Sequence, residues 1–233
     1  MKKHHGFSLV EMAIVLVIVG LLLGGLLTPL SVQMEQRKVS ETQKQLDEIR
    51  EALIGFALRN GYLPCPAISS ANGLEDRSGA ACTDDKRQGF IPWATLGVGK
   101  LDSWNHLFRY SVTPTFTNSQ APFSMSTPRD ISVFTRGGAG LLAGATAEND
   151  IPAVVMSHGK NGFGATSEQG VRIADTSSTN ADEKTNAGDE GTRFIARQPS
   201  DDARQPGGEF DDMVSWISPN ILVSRMVAAQ RLP

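Results

Sequence analysis

From Met12 to Met34 no side chain carries a formal charge, a run of 23 residues in a chain of 233. Roughly 20 consecutive apolar residues suffice to cross a bilayer as a helix. The first constraint on the fold is therefore a long N-terminal helix whose surface suits lipid better than water. Immediately before the run stands Glu11, within Phe7-Ser8-Leu9-Val10-Glu11. A carboxylate placed inside a membrane helix costs roughly 2.5–3.5 kcal/mol even on the lenient insertion scale. A charge kept at that cost calls for a partner.

Three readings compete for this segment. A secretory signal is cut after its apolar core at a small-x-small site, but this core is about twice the usual length and ends in Leu27-Thr28-Pro29-Leu30-Ser31. A plain anchor explains the length, and Lys2 and Lys3 favour a cytoplasmic N-terminus. It accounts for neither Glu11 nor the Gly6-Phe7 junction. The third reading accounts for both. Gly6-Phe7-Ser8-Leu9-Val10-Glu11 resembles the cleavage and methylation motif of type IV prepilins and type II secretion pseudopilins.

The resemblance implies that a prepilin peptidase/methyltransferase cuts between Gly6 and Phe7 and methylates the new amine of Phe7. It implies that Glu11 pairs with the N-terminal amine of an adjacent subunit during assembly. A single cation per neighbour would set the register of packed helices, as polar groups do in coiled-coil seams. The implied organisation is a leader at 1–6, a transmembrane and assembly helix at 7–30, and an amphipathic continuation at 31–60. A periplasmic globular domain follows at 61–233, on a single-pass inner-membrane anchor with a cytoplasmic N-terminus. The implied partners are other pilin or pseudopilin subunits, an inner-membrane assembly platform and membrane lipid.

Past Pro29, which would kink rather than end the helix, Val32, Val39, Leu46 and Leu53 recur every seven residues. Ile49 and Phe56 add a second row, and opposite charges are interspersed on the other face. The denser stripe after Leu46 predicts packing on a sheet, with Asn60-Gly61 as the stop. The expected fold class is α+β and pilin-like: a long N-terminal helix on a small antiparallel sheet, with loop-rich insertions.

Residues 62–100 read as such an insertion, rich in turn residues and holding both cysteines, Cys65 and Cys82, 17 positions apart. In an oxidising compartment these close one disulfide loop worth about 3 kcal/mol. Two thiols without a nearby His make a poor metal site. Residues 107–112 alternate as a strand, Ile131–Thr135 reads as a second, and Ile151–Ser157 as a third, apolar enough to be central. The Gly-rich turn at 137–140 lacks the Lys-Ser/Thr of a phosphate loop. Residues 163–206 are polar and read as a mobile surface loop, and after Pro219 a short helix presents Ile221, Leu222, Met226 and Val227.

Three further stretches are similar to the major pseudopilin: Asp102/Trp104/Tyr110, the turn Ser157-His158-Gly159-Lys160-Asn161-Gly162, and the closing loop Gly207–Trp216. The resemblance implies calcium on Asp211 and Asp212, with Asn161 as a third candidate. Calcium takes six to eight oxygens, so carbonyls and water would complete the set. The alternative is that Asp211 or Asp212 caps a helix beginning at Met213. No other cofactor is expected.

Net charge is −3, and without Lys2 and Lys3 the remainder holds 20 basic against 25 acidic side chains. Broad binding to nucleic acid is not expected from such a balance. No nucleophile elbow surrounds any serine, and beyond His4 and His5 in the leader only His106 and His158 remain. The sequence thus points to a non-enzymatic structural subunit, a pseudopilin or minor pilin of a type II secretion pseudopilus or a type IV pilus. The alternative is a membrane-anchored binding module that displays its insertions to a secreted substrate or surface partner.

Overall fold

The structure is a computed structural model and describes residues 8–135 and 150–232, leaving aside the side chains of residues 22–29. The proposed cleavage pair Gly6 and Phe7, and the Gly-rich turn at 137–140, lie outside the described residues. The chain divides into two compact units, Met1–Ser40 and Glu41–Pro233. Helix α1, Leu9–Asn60, is 52 residues long, supplies the first unit up to Ser40, and runs on through Pro29. Leu16, Val17, Leu21, Val32 and Met34 of that unit are all exposed. Among the described residues no helix is long and apolar enough to cross a membrane; residues 22–29, whose side chains are left aside, fall in the middle of the apolar run.

In the second unit the helical stripe is buried where the sequence makes it dense. Leu46, Ile49, Leu53, Ile54 and Ala57 are almost wholly withdrawn from solvent, whereas Val39 remains exposed. The helix stops at Asn60 because its side-chain amide turns back to the Phe56 carbonyl (2.9 Å). Gly61 then takes φ +85°, a left-handed setting that a Cβ would oppose.

The insertion is more ordered than its composition suggests. It holds a small hairpin, β1 (Arg77–Ser78) with β2 (Ala81–Cys82), then β3 (Gln88–Phe90) and the single turn α2 (Trp93–Leu96). Cys65 and Cys82 are joined as a disulfide. Arg77 braces the same corner, pairing with Glu75 (3.0 Å) and donating to the carbonyls of Ala80 and Thr117.

The main sheet has the order β3-β4-β6-β8, antiparallel throughout, with β4 at Arg109–Val112, β6 at Ala153–Ser157 and β8 at Met213–Trp216. Period-2 alternation gives it two apolar faces. Tyr110, Val112, Ala153 and Val155 meet the α1 stripe and Leu222 and Met226 of α4 (Pro219–Ala228). Val154 and Met156 face the other way, onto Ile131, Val133 and Phe194. This second layer is a two-stranded parallel pair, β5 (Ser132–Phe134) with β7 (Arg193–Ile195). The fold class is α+β and pilin-like, a long N-terminal helix with a small antiparallel sheet.

Three sequence readings need correction. The 163–206 stretch contains α3 (Ala181–Ala187) and β7, and it buries Asn180, Asp182, Glu183, Asn186 and Phe194. Its polar residues pair with one another and with the closing loop, a burial that apolar periodicity does not register. Met213–Trp216 is a strand, so Asp211 and Asp212 cap no helix there. The strand expected at 131–135 is present as β5, in the second layer. On α4 only Leu222 and Met226 of the expected face are buried, while Ile221 and Val227 are exposed.

Candidate functional site

Two places carry the residues singled out from the sequence. The first is the start of α1. Ser8 is the residue before the helix, and its backbone N–H donates to Glu11 Oε2 at 2.8 Å. The N–H of Glu11 donates in return to Ser8 Oγ at 3.2 Å. This is a reciprocal capping box, which satisfies two of the donors a helix start leaves bare. The signal was present as Ser8-x-x-Glu11. Glu11 therefore has a local partner, and a carboxylate has a second oxygen with which to take another.

The second place is where the end of β6, the closing loop before β8 and the start of α3 converge. Asp102 anchors it. Its Oδ2 accepts the Ser157 hydroxyl (2.5 Å), and its Oδ1 accepts the backbone N–H groups of Trp104 and His106 (both 2.9 Å). Ser157 Oγ accepts the Gly159 N–H in turn (3.1 Å). Gly159 sits at φ +61°, and a Cβ there would run into the Asp211 carbonyl and carboxylate. The turn can approach Asp211 so closely only because this residue is glycine.

Beyond that turn, three carboxylates from two segments meet. Glu183 of α3 and Asp211 and Asp212 before β8 offer oxygens that all lie within 4.8 Å of one another. Asn161 links them. Its backbone N–H donates to Asp211 Oδ2 (2.8 Å), and its side-chain amide donates to both oxygens of Glu183 (2.9 and 3.1 Å). The Asp211 N–H and the Asn180 amide also donate to Glu183 (2.8 and 2.9 Å). Asp212 Oδ2 accepts Asn186 Nδ2 (2.8 Å), and Asn186 also exchanges bonds with the backbone of Ile195 in β7. His158 Nδ1 stands 3.5 Å from Asp212 Oδ1.

Burial, together with the charges of Glu183 and Asp212, pushes the Asp211 carboxyl up to about 8, against the Asn161 N–H that favours its ionised form. Burial and the Asp212 charge raise Glu183 as well. Asp211 Oδ1 and Asp212 Oδ1 are buried and accept no hydrogen bond among the described residues. Buried acceptors are normally satisfied. A cluster of hard oxygen donors with two orphaned oxygens and surplus negative charge suits calcium or magnesium better than a softer metal. The three carboxylates fit such an ion; Asn161 enters this arrangement as a hydrogen-bond donor to them.

Sequence reading found Asp211, Asp212 and Asn161 but missed Glu183, which lies in the stretch read as mobile. The nearest signal was Asp182-Glu183 at a helix start, where acids favour the first turn. The Ser157 hydroxyl donates to the Asp102 carboxylate and not to an imidazole.

Residues 1–27 match the model of the prokaryotic N-terminal methylation motif. The match supports a precursor of the type IV pilin and pseudopilin kind, and the motif implies processing by prepilin peptidase and assembly with other pilin subunits. No curated protein and no solved structure gave a match. The likeness of 102–110, 157–162 and 207–216 to the major pseudopilin in particular rests on those residues alone.

Proposed function

We propose that this chain is a structural subunit, a pseudopilin or minor pilin, of a type II secretion pseudopilus or type IV pilus, and that it has no enzymatic activity. One observation carries the reading: the methylation motif at 1–27 overlaps the start of a 52-residue helix, Leu9–Asn60, whose later part is built into the domain core. Residues 1–6 are removed between Gly6 and Phe7, and the amine of Phe7 is methylated. Residues 7–30 hold the subunit in the inner membrane with the N-terminus cytoplasmic, and residues 61–233 lie in the periplasm. An assembly platform in that membrane draws subunits into the fibre, where Glu11 pairs with the amine of a neighbour while its other oxygen keeps the Ser8 cap.

The Glu183, Asp211 and Asp212 cluster is proposed to hold calcium, whose charge offsets three crowded carboxylates and fastens the closing loop to α3. Asn161, Asn180 and Asn186 orient those carboxylates by donating to them.

Glu11→Gln separates capping from charge pairing, because an amide oxygen can still accept the Ser8 N–H. The variant should accumulate in the membrane with an unchanged domain yet fail to enter filaments, read by shearing and immunoblotting. Incorporation at the wild-type level would remove charge pairing from the account.

A further inference from the structure

A half-open cavity of about 180 Å³ lies between β3, β4 and the 164–172 loop, with His158 in its lining. At ~30 Å³ per water molecule that is room for about six waters, or a carboxylate on a short stem. Its polar lining is mostly donors. Arg109 enters from β4 with a side chain only 14% exposed, and Arg172 reaches in from the surface. Gln88 and Thr166 complete the wall, and Gln88 Nε2 is buried with no acceptor among the described residues.

A single acid serves this lining among the described residues. Asp189 Oδ1 lies 3.5 Å from both Arg109 Nη2 and Arg172 Nη1. Its side chain is 85% exposed, and 3.5 Å is long for a charge-assisted bond, which normally closes to 2.7–2.9 Å. One loosely held carboxylate thus bridges two guanidiniums and leaves one positive charge over. Burial and the neighbouring Arg172 hold the Arg109 guanidinium down to about 10, with Asp189 and the more distant Asp212 acting the other way.

We propose that this cavity binds a carboxylate from outside the chain, gripped by Arg109 and Arg172, and that Asp189 is a displaceable internal occupant of the same position. Planar guanidiniums match a carboxylate two bonds at a time, and Gln88 Nε2 gains the acceptor it lacks. Asp189, displaced from the guanidiniums but still beside them, keeps its charge at the site, so a carboxylate leaves the site neutral whereas a phosphate dianion leaves it one negative charge in excess. The source is either an acidic side chain or C-terminus of a polypeptide, or a free carboxylic acid.

Both arginines also serve the fold. Arg109 donates to the carbonyls of Asn186 and Gly188 (3.3 and 2.5 Å), and Arg172 to that of Ala187 (2.9 Å). They cap the last turn of α3, and a purely structural role would end there. Such a role makes no anion site and gives no reason for the loss of Asp189 to improve binding.

The experiment is calorimetric titration of the full-length protein in detergent with N-acetylglutamate, with an acetylated, amidated Gly-Glu-Gly peptide, and with inorganic phosphate, at constant ionic strength. Both carboxylates should bind saturably and more tightly than phosphate. Asp189→Asn should bind them at least tenfold more tightly, and Arg172→Gln, with its circular dichroism unchanged, should lose binding. A peptide preferred over the free amino acid identifies a polypeptide source, and equal binding a free acid. No saturable binding to Asp189→Asn, no gain over wild type, or a preference for phosphate would overturn the proposal.

Discussion

Asp211 and Glu183 hold protons in the folded protein at pH values where the unfolded chain has released them. An unfolded aspartate titrates near 3.9, and the folded Asp211 near 8. Between those values the native state binds more protons, so stability falls as pH rises through the window. With chelator present, the urea midpoint should decline from about pH 5 to pH 8, and Asp211→Asn should flatten that decline; an equal slope in both proteins would contradict it. Calcium acts in the opposite sense. It should raise the melting temperature more at pH 8 than at pH 5, since ligation requires the ionised carboxylates. Nearby, Asn186 is buried and tied to Asp212 and to both backbone groups of Ile195. Asn186→Ala leaves all three without partners and should cost about 3 kcal/mol by chemical unfolding.

At the scale of elements, α1 has parts with different roles. Leu53 is 1% exposed and Val39 is 39% exposed. Leu53→Ala should therefore cost about 2–5 kcal/mol, while Val39→Ala should stay within about 0.5 kcal/mol of wild type in urea unfolding of the detergent-solubilised chain. The Cys65–Cys82 link closes the insertion, and its reduction should cost about 3 kcal/mol by the loop-entropy argument. The stripe from Leu46 to Phe56, the Asn60-Gly61 stop and the central strand β6 were all legible because their periodicity or turn chemistry is local. The rest is not local. Strand β3 is three residues of the loop-rich insertion that become a strand only by pairing with β4. Helix α3 is seven residues with hardly an apolar side chain, buried through amide–carboxylate bonds to a loop some 28 positions onward. Asp211 and Asp212 were legible as an acidic pair, yet the third carboxylate of the cluster reaches them only through tertiary contact. Ser8 and Glu11 were read only as part of a processing motif, and their reciprocal helix cap is a second role compatible with it.

For the whole molecule, the proposed cleavage and assembly depend on the first eleven residues and the proposed anchoring on residues 7–30, and the domain is the part those residues deliver. The account stands on the chemical identity of the mature N-terminus. Intact-mass and N-terminal fragment analysis of the protein isolated from native membranes tests it most directly. The polypeptide should start at Phe7, bear one methyl group on its amine and retain every residue of the apolar run. A chain still carrying Met1, or one beginning beyond Met34, would contradict the account.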